Sequence, residues 1–321
     1  MPSRSLKALP AILAASLIII GLLAPAVIYS AQDVPTIYPR TSTEAPVKAE
    51  VVELDDEPTL DGRDLEWEDV PEAVVPLWPT VERDPDNQLG PVDLHLKAGL
   101  FGDVIYLRFQ WPDPLPNATH LSWVWDFTRN SYRPGSDLED RLAVRFGWSE
   151  GFSACPLAGS PHRADLWLWR AARSNPVGYA VDAVQVVSDS PISGGHPWRL
   201  PDGRVRWLAF KLDKGEEFTY TKTYSGYRGD IVPQFIVKKA EKLSGSRMDV
   251  GAKGIWLDGF WTLELARSLD TTSPDDVLFR RGEVVELSIS AANQGSGAHE
   301  SVSPLIKLIL PPEDQKQTAQ R

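Results

Sequence analysis

Short segments that alternate between apolar and polar residues, punctuated by proline and glycine, constrain this chain most. Val104-Ile105-Tyr106-Leu107-Arg108-Phe109-Gln110-Trp111 is one such segment, and it stops at Pro112-Asp113-Pro114. Residues 141–146, 165–170, 205–212, 284–290 and 305–310 follow the same pattern. Successive side chains of a strand point to opposite faces, so a period of two reads as sheet. Residues 256–265 turn through Asp258-Gly259, a dipeptide suited to the positive φ angles of a tight hairpin. Only 238–243 reads as a short helix. With 27 prolines and 23 glycines in 321 residues, the chain has turn residues for many short strands. The expected fold is all-β: a two-layer antiparallel β-sandwich with Trp111, Trp167, Trp169, Trp256 and Trp261 in its core. No repeat of solenoid or propeller length is present.

The first thirty residues belong to another environment. Arg4 and Lys7 precede an apolar run from 8 to 29, about the length that crosses a bilayer as a helix. Positive charge before the run keeps the N-terminus in the cytoplasm. The expected organisation is a signal-anchor or transmembrane segment (1–31) and a polar, proline-containing linker (32–51). One domain (52–315) and a polar tail (316–321) follow. Small residues near Ser30 and Ala31 make cleavage as a signal peptide the alternative. Either way the domain is expected outside the cytoplasm, on the periplasmic or extracellular face. Its single cysteine, Cys155, leaves packing rather than disulfides to hold it. A net charge of −11 lacks the basic patches that nucleic acid requires, so nucleic acid is not an expected partner.

Chemistry-bearing residues concentrate in Cys155-Pro156-Leu157-Ala158-Gly159-Ser160-Pro161-His162, which leads into Arg163-Ala164-Asp165-Leu166-Trp167-Leu168-Trp169-Arg170. His162 stands near a strand entrance, with Asp165, Trp167 and Trp169 on one face and Leu166, Leu168 and Arg170 on the other. Two readings apply: a plain loop histidine before a core strand, or a ligand above an apolar wall for a planar cofactor. The Cys-x6-His spacing rules out covalent c-type haem, and no second ligand pair makes a structural zinc site. His299, in the glycine-rich turn 293–301, is either a solvated turn residue or a second ligand. His95 and His196 read as structural or surface residues, and His120 as exposed. Asp84-x-Asp86-Asn87 lacks the glycine and distal glutamate of an EF-hand loop. Elbow, phosphate-loop and His-Glu-x-x-His signatures are absent, which argues against an enzyme with its own active site.

An ordered set of blocks resembles the haem-binding γ-subunit family of ethylbenzene dehydrogenase and related molybdenum enzymes. The blocks are Leu60-Asp61-Gly62 with Trp67, Phe109-Gln110-Trp111-Pro112-Asp113-Pro114, and Glu139-Asp140-Arg141-Leu142-Ala143. Next come Asp165-Leu166-Trp167-Leu168-Trp169-Arg170-Ala171 and Asn175-Pro176-Val177-Gly178-Tyr179. Gly254-Ile255-Trp256-Leu257-Asp258-Gly259-Phe260-Trp261, Arg267-Ser268-Leu269-Asp270 and Asp275-Asp276-Val277 complete them. The resemblance implies a sandwich similar to family 9 carbohydrate-binding modules that holds one b-type haem and relays electrons without catalysis. It also implies a redox partner protein, a molybdenum oxidoreductase or a cytochrome. The family's axial methionine and lysine are not matched: Cys155, Leu157 and His162 stand where the methionine would be, and His299 where the lysine would be. His162 and His299 are therefore the expected metal ligands. Cys155, Trp167 and Trp169 would border the cofactor, and Arg170 or Arg173 would pair with a propionate. The alternative is a haem-free sandwich that binds a carbohydrate or a partner protein.

Overall fold

The computed structural model describes residues 44–63, 65–80, 87–295 and 300–313. The N-terminal apolar run, most of the expected linker, Asp84, Asp86, His299 and the polar tail lie outside those residues. Among the described residues, no helix is long and apolar enough to cross a membrane.

In chain order the strands are β1 (Val47–Glu53), β2 (Glu72–Pro79), β3 (Val92–Phe101), β4 (Val104–Pro112), β5 (Trp123–Asp126) and β6 (Ser131–Pro134). Then come β7 (Arg141–Gly147), β8 (His162–Arg170), β9 (Val181–Ser188), β10 (His196–Arg199), β11 (Val205–Leu212), β12 (Thr219–Thr221) and β13 (Ile231–Val232). The last are β14 (Phe235–Val237), β15 (Gly251–Leu257), β16 (Phe260–Ser268), β17 (Val284–Ala292), β18 (Ser301–Val302) and β19 (Ile306–Ile309). The alternating segments became β4, β7, β8, β11, β17 and β19. The Asp258-Gly259 hairpin joins β15 to β16, with φ of 50° and 88° at its two turn residues. Residues 238–243 hold only a 3-10 turn, Ala240–Lys242, because the lysines and glutamate there leave no apolar helical face.

The main sheet runs β10-β11-β9-β8-β7-β17-β18-β2-β3-β4-β16-β15. β1 pairs with both β19 and β3, and β19 with β17, so the path β17-β18-β2-β3-β1-β19 closes on itself. The expected two-layer antiparallel sandwich is corrected in two respects: its layers join into a barrel-like ring, and both β1 pairings are parallel. β1 begins inside the span read as linker. There Val47, Ala49 and Val51 alternate with Lys48 and Glu50, and Ala49 and Val51 are buried. Its first half, Val47–Glu50, pairs with β19 and its second half, from Val51 to Glu53, with β3, so the strand crosses from one layer to the other and joins them.

The core runs through the tryptophans. Trp111, Trp167, Trp169 and Trp261 are buried, while Trp256 is half-buried at the rim and donates its Nε1–H to the Asp113 carbonyl at 2.8 Å. Trp169 meets Trp261 edge to face, with ring centroids 5.0 Å apart. Gly254 is required for this packing, since a Cβ there would lie 2.4 Å from Trp169 Cζ2. The Asn175 amide holds the same point: its Oδ1 accepts from Trp169 Nε1 at 3.1 Å and from Gly254 N at 2.7 Å. At the start of the domain, Glu264 accepts from the Asp61 and Gly62 N–H groups at 2.8 and 2.7 Å, and from Trp67 Nε1 at 2.8 Å.

Candidate functional site

The seven residues singled out in the sequence separate into three places, with one outside the described residues. His162 and Cys155 sit at the start of β8, Trp167 and Trp169 lie inside, and Arg170 and Arg173 border an open cleft at its end. His299 lies outside the described residues. Glu300, its neighbour in sequence, pairs with Arg141 at 2.7 Å. Arg141 stands opposite Arg170 in the β7–β8 register.

His162 is not a loop residue. It is the first residue of β8 and is buried. Its Nδ1 lies 2.7 Å from the Ser160 carbonyl, and Arg145 Nη2 lies 2.9 Å from Nε2. A neutral ring satisfies both partners, since Nδ1–H donates to the carbonyl and the Nε2 lone pair accepts from the guanidinium. Burial, reinforced by the Arg145 and Arg206 charges, pushes the His162 pKa down to about 4. Neither ring nitrogen offers a free lone pair in this arrangement. Cys155 is buried with Leu157 and Leu200, and burial raises its thiol pKa. Trp167 packs on Phe146 and Phe279, with centroids 4.5 and 6.0 Å away. Trp167 and Trp169 are thus surrounded by side chains and form no wall of an open slot.

At the other end of β8 the strand's outer face carries Leu166, Leu168 and Arg170. Leu168 stands opposite Val181 of β9 in the register. The short β12–β14 pair lies over this face, and between them is a cleft of about 260 Å³. Arg170, Arg173, Arg247 and one carboxylate, Glu217, line it together with Val181, Leu212, Phe218 and Phe235. Arg173 is aimed by the turn after β8. Glu139 Oε2 accepts from the Ala172 and Arg173 backbone N–H groups at 2.8 and 3.0 Å, and Glu139 Oε1 accepts from Arg173 Nε. The Arg173 guanidinium also stands 5.2 Å over the Phe235 ring. Burial, then the neighbouring Arg173 charge, lowers the Arg170 pKa to about 10, so it remains a cation at neutral pH. Arg247 donates to the Asp213 carbonyl through Nε and Nη2 and pairs with Glu217 at 2.9 Å. The result is a cationic rim over an aromatic and aliphatic floor, which suits an anion with a flat apolar part.

Sequence reasoning found Arg170 and Arg173 but not Arg247, Phe218 or Phe235. Those three come from the stretch between β11 and β15, whose strands are too short to show a period. His120, read as exposed, is half-buried against Phe235 with ring centroids 5.6 Å apart, and its Nδ1 is 3.6 Å from Glu139.

Against known proteins, the model of the family described as ethylbenzene dehydrogenase matches residues 64–301. The chain belongs to that family. No curated protein sequence matches it. Among solved structures, a family 9 carbohydrate-binding module from Caldicellulosiruptor kristjanssonii in complex with glucose is similar at TM-score 0.36 and 10% identity. That likeness covers 84% of this chain and 97% of the module. The module in complex with cellotriose scores 0.37 at 10% identity, covering 84% and 96%. Scores this low carry no function, and the fold of this ethylbenzene dehydrogenase family member rests on its own strand pairing.

Proposed function

We propose that this chain is a non-catalytic binding subunit, held or released outside the cytoplasm, whose site is the cleft lined by Arg170, Arg173 and Arg247. Its ligand is a carboxylate- or phosphate-bearing molecule with a flat apolar body. The carrying observation is the convergence of three guanidinium groups with Phe218 and Phe235 on one cleft. Two arginines that each give a charge-assisted hydrogen bond, worth about 1.5–3 kcal/mol, make the carboxylate end the anchor.

Family membership favours b-type haem as that ligand and an electron relay to a molybdenum oxidoreductase or cytochrome as the role. Arg170 and Arg173 fit its propionates. The described residues lining the cleft include no histidine, methionine, cysteine or lysine to hold iron. His162 is already bonded at both nitrogens. The described residues therefore do not fit an axially ligated haem, and no electron-transfer step follows from them. Carbohydrate binding by stacking on Trp167 or Trp169 has no support either, because both rings are buried.

Hemin, a planar ring with two carboxylates, is the probe. Titration followed by quenching of tryptophan fluorescence should saturate, and Arg170→Ala and Arg173→Ala should each weaken binding by about tenfold or more. Unsaturable quenching, or binding that ignores both substitutions, overturns the cleft as the site. The absorption spectrum of the purified protein separates the two readings: a Soret band on isolation supports the relay, and a colourless protein supports the haem-free module.

A further inference from the structure

Five aspartates converge from separate segments in the interior beside the cleft. Asp165 lies on β8, Asp182 on β9, Asp213 directly follows β11, and Asp275 and Asp276 lie in the loop after β16. Ligand oxygens of Asp165, Asp182 and Asp276 lie within 4.8 Å of one another, as do those of Asp213, Asp275 and Asp276. The first group has a cation. Arg267, packed over the Trp167 ring, places Nη1 2.6 Å from Asp165 and 3.8 Å from both Asp182 and Asp276.

That single guanidinium leaves the group unbalanced. Asp213 is 3% exposed and Asp182 0%, yet both oxygens of each carboxylate lack a hydrogen-bond partner among the described residues. Buried polar atoms are rarely left so, and a buried carboxylate is costly unless paired or bound to a metal. Burial, then the Asp275 and Asp276 charges, pushes the Asp213 pKa up to about 7.

We propose that Asp213, Asp275 and Asp276 hold a calcium ion, with Asp182 behind them on β9. Ligands that are all oxygen suit a hard cation. Calcium takes carboxylates at about 2.3–2.6 Å in flexible geometry, as an irregular set of three aspartates offers, whereas magnesium demands near-octahedral geometry and keeps several waters. The oxygens of Asp213, Asp275 and Asp276 all lie within 4.8 Å of one another, close enough for one ion to bridge them. Asp276 also accepts from Thr271 Oγ1, which fixes its orientation. Asp275 is half-exposed and opens the site to solvent. The ion ties the loop after β16 to the end of β11, where Leu212 borders the ligand cleft.

The test uses the full chain, freed of metal by a chelator and then titrated with CaCl2 or MgCl2 by calorimetry and thermal unfolding. One calcium ion should bind per chain with saturable heat and raise the Tm, and magnesium should need about tenfold higher concentration or more. Asp275→Asn, at a half-exposed position that leaves the fold intact, should weaken calcium binding by about tenfold or more. Asp213→Asn should do the same, and Asp202→Asn, on an exposed turn elsewhere, should leave binding unchanged. No calcium-dependent heat or Tm shift in the chelated protein overturns the site. So does a calcium response that Asp275→Asn leaves intact.

Discussion

At its first residue β8 buries His162 with both ring nitrogens bonded, and at its last it turns Arg170 toward an open cleft. Both ends are polar and both looked like ligand positions in the sequence. The difference is where the partners come from. Around His162 the protein supplies them all: Arg145 also donates to the Ser153 and Ala154 carbonyls at 3.1 and 2.8 Å and to Ser288 Oγ at 3.2 Å. Around Arg170 the positive charges outnumber the nearby carboxylates of Glu139 and Glu217, and the excess faces the cleft. A satisfied polar group holds structure together, whereas an unbalanced charge at a cleft is what a ligand can neutralise.

The largest expected effect breaks the first end. Arg145→Ala should cost about 3–5 kcal/mol in urea unfolding, because buried carbonyls lose their donor and a large side chain leaves a cavity. A loss below about 1 kcal/mol would remove the structural reading of that end. The pH dependence is next. His162 titrates near 4 when folded, against an ordinary value of 6.5. The unfolded chain then binds more protons between those values, so the stabilisation is present above pH 6.5 and is lost as pH falls toward 4. Asp113, raised to about 7 chiefly by burial, acts in the opposite sense, since the folded state there binds more protons. Comparing wild type with His162→Gln isolates the histidine. The stability of wild type relative to that variant should fall by on the order of 3 kcal/mol as pH drops through that window. An advantage that does not change with pH would mean that the ring is not held neutral.

Smaller effects sharpen the second end. Arg173→Ala should lower stability by less than Arg145→Ala, since Glu139 keeps its two backbone donors. Its main consequence should be loss of ligand affinity, seen in the hemin titration. Arg163 offers the mildest comparison: it is exposed on β8 and stacked 4.5 Å from the Trp148 ring. Arg163→Ala should change stability by no more than about 1 kcal/mol and leave binding unchanged.

Much of the fold was legible in the sequence, because alternation over six or more residues leaves few options for a half-buried strand. β4, β8, β11 and the Asp258-Gly259 hairpin are examples. β1 escaped because lysine, glutamate and proline in its neighbourhood resemble a linker, although its apolar alternation was present. Parallel pairing of β1 with β19 depends on chain segments more than two hundred residues apart, Val47 with Ile306 for instance, and no local pattern encodes it. For the site, Arg170 and Arg173, expected to pair with a propionate, both line the cleft. The bonding of His162 was not legible, because it depends on Arg145, which is adjacent only once β7 and β8 pair. Many residues of the family blocks turn out to hold the fold: Asp61, Gly62 and Trp67 meet at Glu264, and Asn175 meets Gly254.

The central claim is that the arginine end of β8 binds ligand and the histidine end does not. Hemin titration of wild type, the Arg170→Ala/Arg173→Ala double variant and His162→Gln, with folding checked by circular dichroism, tests it directly. The account predicts saturable binding in wild type and His162→Gln, and loss by about a hundredfold or more in the double variant. Binding that survives the loss of both arginines but disappears with His162 would contradict it.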